Sequence, residues 1–77
     1  MKVRVLFFAG LKETFGPGRT IEVTDGLTAG EIAGALMAQD ESPRPRLLYA
    51  VNEHFEPAEK IVRDGDLLAV MTPMSGG

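Results

Sequence analysis

The two most apolar segments of this chain lie at its opposite ends, and that arrangement limits the fold more than any other feature. Lys2 to Phe8 reads KVRVLFF and Leu67 to Met71 reads LLAVM. The first is rich in β-branched and aromatic residues, the composition of a strand. Its Val3, Val5 and Phe7 share one face. The other face starts polar with Lys2 and Arg4 and turns apolar with Leu6 and Phe8. The last segment is apolar on both faces, as a strand in the middle of a sheet must be. A chain of 77 residues supports one small hydrophobic core. The two segments are therefore expected side by side at the centre of one sheet.

Between them, Ala9-Gly10-Leu11 and Phe15-Gly16-Pro17-Gly18 read as a connecting turn, because glycine and proline interrupt the pattern. Arg19 to Thr24 (RTIEVT) alternates cleanly, with Ile21 and Val23 inward, and predicts an antiparallel hairpin with the first strand. The clearest local signal comes next. Thr28-Ala29-Gly30-Glu31 fits a capping box, and Leu27 with Ile32 can staple the helix start. Ala29, Ile32, Ala33 and Leu36 then recur at helical spacing, predicting a helix to about Gln39. Gly30 and Gly34 weaken it by roughly 1 kcal/mol each relative to alanine, unless another backbone approaches there. Asp40 to Arg46 reads as a polar loop, Leu47 to Asn52 as a third strand, and Glu53 to Lys60 as turn material. Ile61-Val62 is a candidate short strand, and Arg63-Asp64-Gly65-Asp66 a tight turn with positive φ at the glycine. This order is that of a β-grasp domain: an α+β fold with a mixed sheet packed on one main helix. Its expected extent is 1–71, with 72–77 as an extended, flexible tail.

Composition narrows the function. Hydrophobic residues at 44% and charged residues at 25% describe a globular domain. Eight Lys+Arg against eleven Asp+Glu leave a net charge of −3, without the basic footprint of a nucleic-acid binder or a polybasic membrane patch. There is no cysteine and one histidine, so no disulfide, thiolate zinc site or cysteine nucleophile is available. Strand pattern begins at Met1-Lys2-Val3, which leads us to expect no signal peptide and a cytoplasmic location. His54 has no serine or cysteine partner in a recognisable motif, and Asp64-Gly65-Asp66 lacks the later ligands of a cation loop. Phe15-Gly16-Pro17-Gly18-Arg19 lacks the Lys-Ser/Thr of a phosphate loop. Lys60 and Arg63 read as ordinary surface charges. The chain should catalyse nothing alone and bind no cofactor.

The terminal Gly76-Gly77 carries the most functional information. It packs nothing, and two residues without Cβ suit a segment that threads a narrow channel. The α-carboxylate of Gly77 is ionised at neutral pH and a poor electrophile, so chemistry there requires activation by another enzyme. The whole chain resembles the ubiquitin-like sulfur carriers, and among them the small subunits of molybdopterin synthase. The opening VRVLFFAGLKE, the AVNE at Ala50 to Glu53 and the ending DGDLLAVMTPMSGG carry the likeness. The glycine pair and the DGD turn are shared with the thiamine-pathway carrier. Phe7-Phe8, the longer polar loop after the helix, and Pro73 before Ser75-Gly76-Gly77 favour the molybdopterin branch.

The resemblance implies a specific chemistry. A ubiquitin-activating-like adenylyltransferase consumes ATP to adenylate Gly77, and sulfur delivered by a sulfurtransferase converts it to a thiocarboxylate. The tail, with Gly76 as its threading neighbour and Pro73, Met74 and Ser75 leading to it, enters the large catalytic subunit of a heterotetrameric synthase. There sulfur passes to cyclic pyranopterin monophosphate to form molybdopterin. The family's apolar partner patch maps onto Phe8, Phe55 and Met71. Met71 and Thr72 depart from the aromatic and proline often found there, which bears on partner affinity. A carrier for thiamine thiazole or another thiolated metabolite, a ubiquitin-like protein modifier, and an inert β-grasp interaction module remain as alternatives.

Overall fold

A computed structural model describes residues 1–38 and 46–73. The elements are β1 (Lys2–Phe7), α1 (Gly10–Phe15), β2 (Gly18–Glu22), α2 (Ala29–Leu36), β3 (Leu48–Val51), β4 (His54–Glu56) and β5 (Leu67–Met71). They form one five-stranded sheet in the order β2-β1-β5-β3-β4. The first and last strands are adjacent and parallel, with Arg4 opposite Leu67 and Phe7 opposite Val70. All other pairings are antiparallel. With β5 in the middle, the expected mixed sheet on one main helix is the observed fold.

The core lies between one face of the sheet and α2. Val3, Val5 and Phe7 from β1 and Leu68 and Val70 from β5 meet Ala29, Ile32, Ala33 and Met37 there. Thr28 caps α2: its Oγ1 accepts from the Glu31 amide at 3.1 Å, and Glu31 Oε1 accepts from the Thr28 amide at 2.9 Å. Tertiary carbonyls satisfy two more amides of that first turn, since Ala29 N–H donates to Lys60 O and Gly30 N–H to Ala58 O. Gly30 is the close approach that its bare surface allows: a Cβ there would stand 3.1 Å from the Ala58 Cβ. Gly34 has no such neighbour. The regular helix ends at Leu36 with Met37 as its C-cap; Gln39 and the loop residues Asp40 to Pro45 lie outside the described residues.

Three segments differ from the sequence reading. The turn expected between β1 and β2 contains α1, which begins after Ala9 and ends at Gly16 (φ +89). Leu11 and Phe15, four residues apart, place their side chains on the core, and the Phe15 ring stacks at 5.5 Å on Phe7. Six residues are too few for a helix to form alone, so this packing creates it. The second difference is β4, which lies within the expected turn material and forms a hairpin with β3. Asn52 (φ +51) and Glu53 (φ +71) occupy the two positive-φ positions of its tight turn. Third, Ile61-Val62 is not a strand. Ile61 makes an isolated bridge to Thr28, and Val62 is buried in the core. The sheet edge beside β3 is already taken by β4.

The Arg63–Asp66 turn, with Gly65 at φ +85, ties three strands together. Asp64 Oδ1 accepts from the Lys2 amide at 2.7 Å, and Lys2 O accepts from Gly65 N–H. Asp66 accepts from Asn52 Nδ2 and from the Arg63 amide, while Asn52 Oδ1 accepts from the Leu67 amide. Both aspartates are thus engaged in holding β1, the β3–β4 turn and the start of β5.

Candidate functional site

The face of the sheet turned away from α2 is open, and strand parity decides what it shows. Val5, Leu68 and Val51 are aligned and point to the core, as do Phe7 and Val70. Their chain neighbours therefore point outward. One outward row runs Leu6, Ala69, Ala50, Phe55 across β1, β5, β3 and β4. The next pairs Met71 with Leu48, and continuing the β1–β5 register sets Phe8 beside Met71. Phe8 is 47% exposed and Phe55 74% exposed, both large for phenylalanine, and Met71 is half-buried. Phe8, Met71 and Phe55 thus share one face, with Phe8 and Phe55 three strand spacings apart across the sheet and one outward row apart along it, about 16 Å.

Because β1 and β5 are parallel, Phe8 and Met71 stand at the same end of the sheet, and the chain leaves β5 there through Thr72 and the exposed Pro73. Met74, Ser75, Gly76 and Gly77 lie outside the described residues. The opposite end of the open face is charged, with Lys2 and Arg4 in the outward positions of β1 and Glu22 of β2 opposite Lys2. Arg4, Arg19 and Thr20 line a hollow of about 370 Å³ there. At the β4 edge, Leu47, Tyr49, Phe55, Pro57 and Ala58 contribute to an open groove of about 650 Å³. Burial raises the Tyr49 pKa above its ordinary value, and nearby Glu59 adds to the effect.

Leu6, Leu48 and Ala69 complete the apolar face, and the sequence motifs do not single them out. Parity is the available signal: Leu6 falls in phase with Phe8, and Leu48 and Ala69 fall in phase with Met71 once the register is known. Ile61, 46% exposed, also escapes the motifs, but it lines a separate hollow with Met1, Asp25 and Val62. Among the described residues no group of three or more His, Cys, Asp or Glu could hold a metal ion. His54 is exposed on the edge strand β4. No helix among them is long and apolar enough to cross a membrane. The arrangement is an exposed apolar face beside the point where the chain leaves β5.

A family model described as the ThiS family matches residues 5–77, from within β1 to the last residue. This chain belongs to the ThiS family. It is 31% identical to the molybdopterin synthase sulfur carrier subunit of Chlamydomonas reinhardtii over 83 aligned positions, covering all of both chains. Among solved structures it matches SAMP1 from Haloferax volcanii with a TM-score of 0.78 at 22% identity over all of both chains, a likeness of fold. It also matches, at TM-score 0.68 and 25% identity over all of both chains, a structure described as the complex of subunits 1 and 2 of the molybdopterin-converting factor from Helicobacter pylori. The ubiquitin-like β-grasp fold and the family expected from the sequence motifs are thus those of this chain.

Proposed function

We propose that this ThiS-family chain is the sulfur-carrier small subunit of molybdopterin synthase, acting in the cytoplasm. The observation that carries this reading is the apolar end of the open sheet face, where Phe8 and Met71 flank the strand that leads out toward Gly77. A partner that covers this face also receives the chain end. The four residues after Pro73 span at most about 14 Å when extended, so the acceptor must lie within that distance of the docked domain. The subunit complex among the solved structures supports the large synthase subunit as that partner, with Phe55 at the far margin of the contact.

In this role Gly77 is the sulfur donor and Gly76 its unobstructed neighbour. The Gly77 carboxylate attacks the α-phosphorus of ATP on an adenylyltransferase, releasing pyrophosphate and forming an acyl adenylate. Sulfur released at the sulfide level from a sulfurtransferase persulfide by a thiol reductant attacks the acyl carbon and displaces AMP. The resulting thiocarboxylate sulfur then bonds to cyclic pyranopterin monophosphate on the large subunit, and water cleaves the acyl–sulfur bond to return the Gly77 carboxylate. The domain contributes recognition and delivery, and the partners contribute the acid-base groups and the pterin pocket.

The test is the intact mass of the chain isolated from its native cells. A population heavier by one oxygen exchanged for sulfur, localised to Gly77, is the expected result. An unmodified mass that persists after incubation with adenylyltransferase, ATP and a sulfur donor rejects the carrier reading, and higher-mass conjugates on lysines would point to a protein modifier. The docking face has its own test. Phe8→Glu removes an exposed aromatic anchor and is expected to weaken binding to the large subunit by about 30-fold or more, the range of an interface hot spot. Because Phe8 is outside the core, the melting temperature should stay within a few degrees. Unchanged affinity in a titration calorimeter would move the interface elsewhere.

A further inference from the structure

Charge on the open face of the sheet is confined to one corner. Within the five strands, Lys2, Arg4 and Glu22 are the only charged side chains in outward positions. Arg19 opposite Val5, His54 opposite Val51 and Glu56 opposite Tyr49 stand on the other side. Glu22 lies opposite Lys2 and offsets it. Arg4 is aligned with Thr20 on β2 and with Leu67 on β5, neither of them charged. The turn carboxylates of Asp64 and Asp66 are taken up by the Lys2 and Arg63 amides and by Asn52. Among the described residues Arg4 makes no ion pair. A chain of net charge −3 thus shows an uncompensated guanidinium at the margin of its apolar face.

A depression beside Arg4 gives that charge a place to be met. Arg4, Leu6, Pro17, Gly18 and Thr20 contribute to the hollow of about 370 Å³. Gly18 lies opposite Leu6, and a Cβ there would collide with the Val5 carbonyl oxygen, so no side chain can fill the floor at that position. Thr20 is exposed, and its hydroxyl makes no hydrogen bond among the described residues. Leu6 belongs both to the hollow and to the outward row that runs through Ala69 and Ala50 to Phe55. The hollow is therefore continuous with the apolar face. We propose that it receives an acidic side chain of the protein that docks on that face. The carboxylate pairs with the Arg4 guanidinium and accepts from the Thr20 hydroxyl, with Leu6 and the covering partner keeping water away and so strengthening the pair. Arg4 and Phe8, four residues apart on the same side of the strand, are separated by about 13 Å. The partner surface then has a stated form: an apolar patch for Phe8 and Met71, and an aspartate or glutamate about 13 Å from the Phe8 contact.

The inference rests on the large-subunit reading for the identity of the partner, and the test is titration of the full-length chain with the large subunit of molybdopterin synthase. Arg4→Glu is expected to weaken binding about ten-fold or more, because it sets like charges against each other. Arg63→Glu makes the same change in net charge away from the open face, where Arg63 lines a hollow with Met1, Asp25 and Ile61. Its affinity should stay within about two-fold of the wild-type value, since a distant exposed charge is screened. Raising salt from about 0.05 M to about 0.5 M should weaken the wild-type complex several-fold and the Arg4→Gln complex much less. Arg4 is exposed, so all three variants should fold with melting temperatures within a few degrees of one another. Unchanged affinity in Arg4→Glu, or an equal loss in Arg63→Glu, overturns the proposal. If the wild-type chain does not bind the large subunit, the functional reading fails, and the corner is decided on the free chain. An acetylated and amidated Glu-Leu-Glu peptide should then shift the Arg4, Leu6 and Thr20 amide resonances of the wild-type chain but not those of Arg4→Gln. In that case the absence of these shifts overturns the proposal.

Discussion

Deletion of Gly77 is expected to abolish sulfur transfer while leaving the folded domain intact. The core residues run from Val3 to Val70, so removing residue 77 takes away none of them, and the melting temperature should be unchanged. The chemistry should respond very differently. A shortened chain presents its carboxylate one residue earlier, about 3.5 Å short of the position reached by the full chain. A misplacement of even 1 Å costs on the order of 100-fold in rate when reacting groups are held in fixed geometry. A truncated chain that was still adenylated and thiocarboxylated at Gly76 would therefore remain a poor donor. The measurement is a reconstituted assay with adenylyltransferase, sulfur source, large subunit and pterin precursor, read as molybdopterin formed. Turnover near the wild-type level would remove Gly77 from the mechanism.

Leu68→Ala should have the largest effect on the fold. Leu68 is fully buried on β5, flanked in register by Val5 of β1 and Val51 of β3. Truncating a buried leucine costs about 3–5 kcal/mol, because the lost burial is compounded by a cavity that the surroundings only partly fill. A chain of 77 residues has a total stability of roughly 4–12 kcal/mol, so the variant forfeits a large share of it. Each kcal/mol moves the melting temperature of a domain this size by about 4–8 °C, which predicts a drop of at least about 12 °C. A drop of only a few degrees in thermal denaturation followed by circular dichroism would mean that β5 does not occupy the centre of the sheet.

These two variants separate the role of the central strand from that of the chain end it leads to, and the amino-acid sequence speaks to both. Alternation in KVRVLFF and continuous apolarity in LLAVM identify two strands, and their adjacency comes from a single small core having one centre. The Thr28–Glu31 capping box marks the start of α2 to the residue. Gly65 falls at positive φ in the turn where the Asp-Gly-Asp sequence requires it. Each of these signals is complete within a few residues, because propensity, capping and parity are local properties of the chain. The likeness to the sulfur carriers likewise rests on short motifs and on Gly76-Gly77.

The rest depended on contacts between residues distant in sequence. Helix α1 was hidden because Gly10 and Gly16 read as turn residues, and only the seating of Leu11 and Phe15 on the core makes six residues helical. Strand β4 was hidden because Glu53 occupies a turn position that usually takes glycine, with Asn52 clamped instead to Asp66 and Leu67. Alternation within KVRVLFF already puts Leu6 with Phe8, but Leu48 and Ala69 could join them, Met71 and Phe55 on one face only after the register of β1, β5, β3 and β4 was fixed. By itself, then, the sequence determined strands β1, β2, β3 and β5, the capped helix and the family to which the chain belongs. The tertiary structure alone decided which apolar side chains remain in solvent, since that is settled by what each strand pairs with and which face the helix covers.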